Sequence, residues 1–483
     1  MKSFYITTTL PYVNAEPHIG FAMEIIQADT LARYYSLRGF EVFFNTGTDE
    51  HGLKIYRKAG EKGMSVQEYC DYYAKRFSEL KDKLNLSYNH FIRTTDSRHI
   101  MAAQAFWKRC EANGDIYKKD YSVKYCVGCE MEKTDSELVN GRCPVHPNLE
   151  LEIIQEENYF FRWSRYQQPL LDLYAKNPEF VRPASKLAEI RNFVESGLQD
   201  FSISRLRSKM PWGVPVPEDH EHVMYVWFDA LVNYISTIGW PEDQAAFERW
   251  WPGFQVAGKD NLRQQSAMWQ AMLMSAGLPP SKGIYIHGFI TVDGQKMSKS
   301  LGNVVHPFDI VSTFGTDAVR YYLLREIPSL DDGDFSLSRM NDIYESDLAN
   351  ELGNLVTRIT NLAEKDGLTL TEESNGLWEQ SLPPGFSGPD GTGAIEAFQF
   401  NTALETLWRE VKSLNKGVND YEPWRKSREE RSDFLQEYLR RVGAVGRALM
   451  PFLPATGATI AASCSGTIRK CPPLFPKVRR ESL

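Results

Sequence analysis

The chain has 483 residues, 42% hydrophobic and 24% charged, with a formal net charge of -8. That length exceeds what one hydrophobic core organises, so about two to four domains are expected, and the acidic balance excludes a protein that coats nucleic acid non-specifically. No apolar run reaches the roughly 18–20 residues that cross a bilayer, and Met1-Lys2-Ser3-Phe4 leads into a strand pattern rather than a signal peptide, so a cytoplasmic protein with no membrane partner is expected.

Ser3 to Thr9 is rich in β-branched and aromatic residues, the pattern of a strand buried in a parallel sheet. Leu10 to Glu16 reads as a loop, and Pro17 suits a first helical position ahead of the helical spacing Ile19, Ala22, Met23, Ile26. Gly39 stops this helix and Glu41 to Thr46 returns as a strand, completing a βαβ unit with ligands expected beyond the carboxyl ends of its strands. The fold class is therefore α/β, a Rossmann-like doubly wound parallel sheet. From about Asn113 to Pro217 short β segments and loops interrupt it, and His222 to Phe228 and Gly283 to Thr291 resume it as strands. Beyond Met340 the period is helical, as in Leu348, Leu352, Leu355, Val356, Ile359 and in Leu404, Leu407, Val411, Leu414, so an all-α bundle should follow. The expected divisions are 1–112 and 218–285 for the two halves of the sheet domain, 113–217 for the insertion, 286–339 for a connecting region, 340–470 for the bundle and 471–483 for a tail.

Seven cysteines are present, and Cys126-x2-Cys129 is followed after thirteen residues by Cys143-x2-His146. Three thiolates and an imidazole in two knuckles suit tetrahedral zinc, and a complete set of four leaves no open position, so a structural Zn2+ is expected in the insertion rather than a disulfide framework. The alternative is reduced cysteines packed in a small domain.

Two further motifs carry chemistry. Pro17-His18-Ile19-Gly20 opens the first crossover helix, where free N–H groups and the helix dipole receive phosphate. Taken alone, His18 reads as well as a cap. Lys296-Met297-Ser298-Lys299-Ser300-Leu301-Gly302-Asn303 follows a predicted strand and offers two ammonium groups and two hydroxyls to a phosphoryl transition state.

With both motifs in this order the chain resembles the class I aminoacyl-tRNA synthetases, whose His-Ile-Gly-His tetrapeptide is altered here, Phe21 standing in place of the second histidine. It is similar, within that class, to the methionyl-tRNA synthetases in Thr9-Leu10-Pro11-Tyr12, in Gly47-Thr48-Asp49-Glu50-His51-Gly52 and in Tyr225 to Tyr234. The resemblance implies ATP-dependent activation of L-methionine, with Mg2+ accompanying ATP, and transfer to tRNA(Met). It implies catalytic roles for His18, Lys296 and Lys299, and ATP contacts from His18, Gly20, Phe21, Gly258, Lys259, Asp260, Lys296, Ser298 and Lys299. A methionine pocket is implied from Leu10, Tyr12, Asp49, Trp227, Ala230, Leu231, Tyr234, Asn261 and Gln265, with Asp49 holding the ammonium group. Asn261 and Gln265 depart from the isoleucine and histidine more common there. Thioether against aromatic edges and carboxylate against ammonium are sound pairings, although each aromatic taken singly reads as core.

The stretch from Asn401 to Met450 carries 10 Lys plus Arg against 8 Asp plus Glu, a balance of +2 that leaves -10 for the rest of the chain. The resemblance places the anticodon readers in this helical half as Asn354, Arg358 and Trp424. A solvated helical face accounts for the charge equally well, and Trp424 alone reads as a buried bundle tryptophan. Members of the family that dimerise append a further domain, so a monomer is expected. Three rival functions remain at this stage: a synthetase for another amino acid, a non-catalytic RNA-binding descendant, and a metabolic nucleotidyltransferase that would not need the helical half.

Overall fold

The computed structural model describes residues 2–133, 135–297, 302–370, 378–383 and 385–477. Its main sheet contains β1 (Ser3–Thr8), β2 (Glu41–Thr48), β3 (His90–Arg93), β4 (Val181–Arg182), β5 (Phe254–Gly258) and β6 (Gly283–His287) in the order β3-β2-β1-β5-β6-β4. Every neighbouring pair is parallel. Strand order reverses between β1 and β5, which opens a crevice beyond Thr8 and Gly258. β1 is buried at five successive positions, so both of its faces are covered by packed layers, as its unbroken apolar and β-branched composition requires.

Helix α1 (Ile19–Leu37) crosses from β1 to β2, and α2 (Ser97–Ala112) follows β3. α1 starts at Ile19 with His18 as its extended N-cap, so the expectation that Pro17 occupies the first helical turn is corrected. The Pro17 carbonyl lies instead 3.1 Å from His306 Nδ1.

Three other expectations change. His222 to Phe228 is not one strand: Asp219–Met224 pairs antiparallel in a separate small sheet, and Val226–Ala230 is a short helix. Periodicity cannot separate these in a short apolar run. The strand expected over Gly283 to Thr291 breaks at Gly288, where any Cβ would sit 2.2 Å from the Asp331 backbone. The chain then forms a hairpin of β7 (Ile290–Val292) and β8 (Gln295–Lys296) through Asp293 and Gly294, both at positive φ. Val181–Arg182, inside the segment assigned to the insertion, pairs with β6, so the chain re-enters the main sheet well before residue 217.

The insertion is built on a long strand, Ile116–Cys126, paired antiparallel with Met131–Lys133 and with Glu152–Phe161. The helical half contains α3 (Thr316–Arg325), α4 (Asn354–Lys365), α5 (Phe400–Tyr421), α6 (Arg428–Leu449) and α7 (Pro454–Ser463). Leu355, Ile359, Leu404, Leu407, Val411 and Leu439 bury their side chains in one cluster continuous with Phe4, Ile26 and Tyr321, so the bundle and one face of the sheet domain share a core.

Inside that shared core Arg320 on α3 is fully buried. Its guanidinium meets Asp29 Oδ2 at 2.8 Å and donates to the carbonyls of Leu84, Pro451 and Phe452. Burial pushes the Asp29 carboxyl up, but Arg320 and Arg33 beside it, with Ser87, hold it below the usual carboxylate range. One ion pair thus ties α1 to the turn between α6 and α7. Among the described residues, no helix is long and apolar enough to cross a membrane.

Candidate active site and metal centre

One end of the crevice is the start of α1. His18 Nδ1 accepts the Gly20 N–H at 3.1 Å, which leaves the proton of a neutral ring on Nε2. His18 therefore caps α1, and its ring is exposed at the crevice. The Phe21 ring beside it is buried and meets Phe77 edge-on at 5.5 Å. At the second-histidine position the chain has exchanged a polar ring for core packing.

The described residues on either side of the basic loop reach this helix start. Ile19 N–H donates to the Val305 carbonyl at 3.0 Å. Met297 Cε lies 3.7 Å from where a Cβ on Gly20 would stand. Lys296 is exposed on β8, and its ammonium is within electrostatic reach of Asp260 and His146. Ser298 and Lys299 lie outside the described residues.

Gly258, at the end of β5, permits close backbone approach: a Cβ there would sit 2.8 Å from Asp260 Oδ1. Lys259 is engaged by both Asp332 oxygens at 2.8 and 2.6 Å and caps the Phe289 ring. A nucleotide would have to draw it from Asp332. Sequence reasoning missed Glu24 and His287, which line the same end. Glu24 Oε1 accepts from Thr9 N and Oγ1, and Glu24 Oε2 lies 2.9 Å from His287 Nε2. His287 Nδ1 faces the Gly288 carbonyl at 2.7 Å, so both ring nitrogens meet acceptors and the imidazolium is favoured. Burial opposes that charge, but Glu24 raises the His287 pKa above its ordinary value.

The other end lies between the end of β2 and the short helix Val226–Ala230. Tyr12 and Asp49 are bridged through their backbones, and Tyr12 and Trp227 both pack against Tyr225 and Val226. Tyr12 Oη, Asp49 Oδ1 and Trp227 Nε1 are buried polar atoms without a protein partner. Burial first, and then Asp229, push the Asp49 carboxyl well above the usual range. A buried carboxylate of this kind is stabilised most by a cation that arrives with a ligand. Gly52, at φ 119°, is required because a Cβ would sit 2.8 Å from the Tyr12 hydroxyl.

Ala230, Leu231 and Tyr234 are buried beside this end, and Leu10 is half-buried. Gln265 is buried and held by two side chains. Its amide donates to Tyr234 Oη at 2.8 Å and accepts from Gln255 Nε2 at 3.0 Å, so it fixes the tyrosine. Asn261 donates to Asp260 Oδ1 at 3.3 Å and stays half-buried at the mouth. Asp229 was also missed. It is fully buried between His51 Nδ1 at 2.6 Å and His99 Nε2 at 2.8 Å, and although burial alone would raise its pKa, the two imidazoles hold it at about 2. A signal existed for Glu24 and Asp229: each is a lone acid inside an apolar run, Phe21 to Ile26 and Val226 to Leu231.

The four knuckle residues converge. The ligand atoms of Cys126, Cys129, Cys143 and His146 all lie within 4.8 Å of one another. Cys129 Sγ is 3.5 Å from Cys143 Sγ and 3.1 Å from His146 Nδ1. A tetrahedron of about 2.3 Å bonds has edges near 3.8 Å, so the set is already at zinc spacing. Burial and then Lys54, Lys296 and Lys133 hold the His146 pKa down, which favours the neutral ring a metal needs. Gly128 is obligatory, because a Cβ would meet the His146 ring at 2.6 Å. All seven cysteines are free thiols.

On the bundle, Asn354 and Arg358 share one face of α4 and line a groove of about 480 Å³ with Lys412, Asn415 and Lys416 of α5. Glu422, left-handed at φ 50°, ends α5, and the turn Pro423–Arg425 throws Trp424 outward. Trp424 is 45% exposed with Arg358 stacked 4.8 Å from its ring centroid, so the reading as a buried bundle tryptophan is corrected.

A family model described as tRNA synthetases class I (M) matches residues 4–151 and 148–360. The methionine-tRNA ligase of Thermosynechococcus vestitus is 43% identical over 96% of this chain and 90% of its own length, and that of Synechocystis sp. is 41% identical over 95% and 89%. The structure of Mycobacterium tuberculosis methionyl-tRNA synthetase in complex with methionyl-adenylate superposes with a TM-score of 0.90 at 36% identity, covering 99% of this chain and 100% of that one. With the crevice, the knuckle and the bundle arranged as they are, this chain belongs to the methionine family of the class I tRNA synthetases.

Proposed function

We infer that the protein is a methionine-tRNA ligase. It joins L-methionine to AMP from ATP, releasing pyrophosphate, and passes the methionyl group to the terminal ribose hydroxyl of tRNA(Met) with release of AMP. The observation that carries this reading is a buried Asp49 carboxyl oxygen, Oδ1, left without a partner beside a Tyr12 hydroxyl and a Trp227 N–H that also have none. An amino acid meets this set: its ammonium group can donate to Asp49 Oδ1 and to the Tyr12 hydroxyl oxygen, and its own oxygen or sulfur atoms are acceptors for the Trp227 N–H.

In this reading Asp49 holds the ammonium group, and Leu10, Tyr12, Trp227, Ala230, Leu231 and Tyr234 enclose the thioether, with Asn261 at the mouth and Gln265 acting through Tyr234. The methionine carboxylate attacks the α-phosphorus as the bond to pyrophosphate breaks. Charge accumulating on the phosphoryl oxygens is met by amide groups at the start of α1, by His18 Nε2–H and by Lys296 and Lys299, aided by Ser298; donors fixed before the reaction lower the barrier without reorganising. Gly20, Gly258, Lys259 and Asp260 bed the nucleotide, whose phosphates would carry Mg2+ as a neutralising charge. Exchange of labelled pyrophosphate into ATP that depends on methionine tests the assignment. Exchange supported by another amino acid, and not by methionine, would overturn it.

Cys126, Cys129, Cys143 and His146 would hold zinc, which supplies a fixed tetrahedral joint and no reactive position. Incubation with a strong chelator should release about one equivalent of zinc per chain and lower the melting temperature, because metal binding energy is folding energy for such a knuckle. An unchanged melting curve after full metal removal would rule out a structural role.

Asn354, Arg358 and Trp424 read anticodon bases in the bundle groove. Trp424→Ala should weaken tRNA binding by about 1–3 kcal/mol, the worth of one stacked base, while methionine-dependent exchange and thermal stability stay at wild-type values. Filter binding and exchange measured on the same preparation decide this, and a loss of exchange would place Trp424 in the fold instead.

A further inference from the structure

We propose that Asp229, gripped by His51 and His99, is a positioning residue that fixes the Asp49 wall of the amino-acid subsite against the Trp227 wall, and so sets affinity for the amino acid without touching it. This rests on the function assigned above and goes beyond its contact residues.

The geometry is specific. Asp229 sits in the short helix Val226–Ala230, two residues after Trp227 and directly before Ala230. His51 follows Asp49 by two residues at the end of β2. His99 lies in α2, and its second nitrogen meets Ser236 Oγ at 3.0 Å. Asp229 and His99 are fully buried and His51 nearly so. Each carboxylate oxygen of Asp229 faces one ring nitrogen, so neither is left for a ligand. The carboxylate also dictates the tautomers, because each histidine must turn an N–H toward it.

Apolar side chains of the same volume would fill this space without the desolvation a buried anion carries. What a fully satisfied polar trio adds is direction: three segments distant in sequence are locked at bonded distance rather than merely packed. His51 is braced on its far side by the Trp212 ring, and Trp212 Nε1 donates to the Glu50 carbonyl at 2.6 Å, so the clasp holds the backbone next to Asp49 from two directions.

The test is pyrophosphate exchange by the full chain, with KM read separately for methionine and ATP. Asp229→Asn keeps the shape but offers one histidine a donor instead of an acceptor, and it should raise methionine KM about tenfold with ATP KM unchanged. His99→Gln should act alike, and the double variant should be no worse than either single one, as for one coupled unit. A parallel rise in both KM values, or a fall in kcat at unchanged methionine KM, overturns the proposal. If Asp229→Asn does not fold, Ser236→Ala, whose hydroxyl meets the outer nitrogen of His99 and, at 3.4 Å, the Asn233 carbonyl of its own turn, should raise methionine KM about threefold; no change there overturns it equally. Wild-type protein inactive with methionine but active with another amino acid would overturn the function instead, and the same KM split measured with that amino acid would still decide the clasp.

Discussion

Asp49→Asn should raise the methionine KM by about two orders of magnitude, since removing one side of a desolvated charge pair costs roughly 2–5 kcal/mol. The same change should stabilise the free protein. In the unliganded fold burial and the nearby Asp229 both oppose ionisation of Asp49, so its pKa is raised well above the ordinary carboxylate value. A group of this kind binds its proton more tightly folded than unfolded. Stability of the wild type therefore falls as pH climbs from about 4, the unfolded value, through the raised folded value, and this slope should be absent from the variant. Methionine KM from exchange, together with melting temperature across pH for both proteins, checks the pair of effects. A variant that loses affinity and stability together would show that Asp49 holds the fold rather than the ligand.

Arg320→Met should destabilise the protein by about 3–5 kcal/mol, the cost of stranding a buried partner. Asp29 would keep Arg33 and Ser87, while the carbonyls of Leu84, Pro451 and Phe452 would lose a donor in a dry core. The double variant Asp29→Asn with Arg320→Met should recover part of the loss, because the buried carboxylate that has lost one of its two cations is then replaced by a neutral amide. Urea denaturation gives both numbers. A loss under about 1 kcal/mol would mean that water reaches the pair and that it does not tie the sheet domain to the bundle.

The parallel sheet, the first helix and the bundle were legible because their signals are local. Ser3 to Thr8 can only be a doubly covered strand, and the spacing of Leu404, Leu407, Val411 and Leu414 repeats with the helical turn. The knuckle was legible for a related reason: paired ligands two residues apart converge through local hairpin geometry once a Gly128 allows it. The hairpin at Asp293 and Gly294 carried an equally local signal, an Asp-Gly turn, that the predicted strand over Gly283 to Thr291 overrode. Where an apolar run was short, as in Val226 to Leu231, helix and strand were equally compatible with it and the packing of the insertion chose between them.

The residue chemistry divides along the same line. Sequence by itself settled which groups exist to meet phosphate, ammonium and metal, and in what order along the chain they come. Whether Phe21 faces nucleotide or Phe77, whether Trp424 is core or surface, and whether Gln265 meets substrate or Tyr234 depended on neighbours far away in the chain. The grip of His51 and His99 on Asp229 joins residues 178 and 130 positions apart. No local pattern encodes a bond of that kind, because its energy exists only after the core has closed and excluded the water that would otherwise satisfy the same groups.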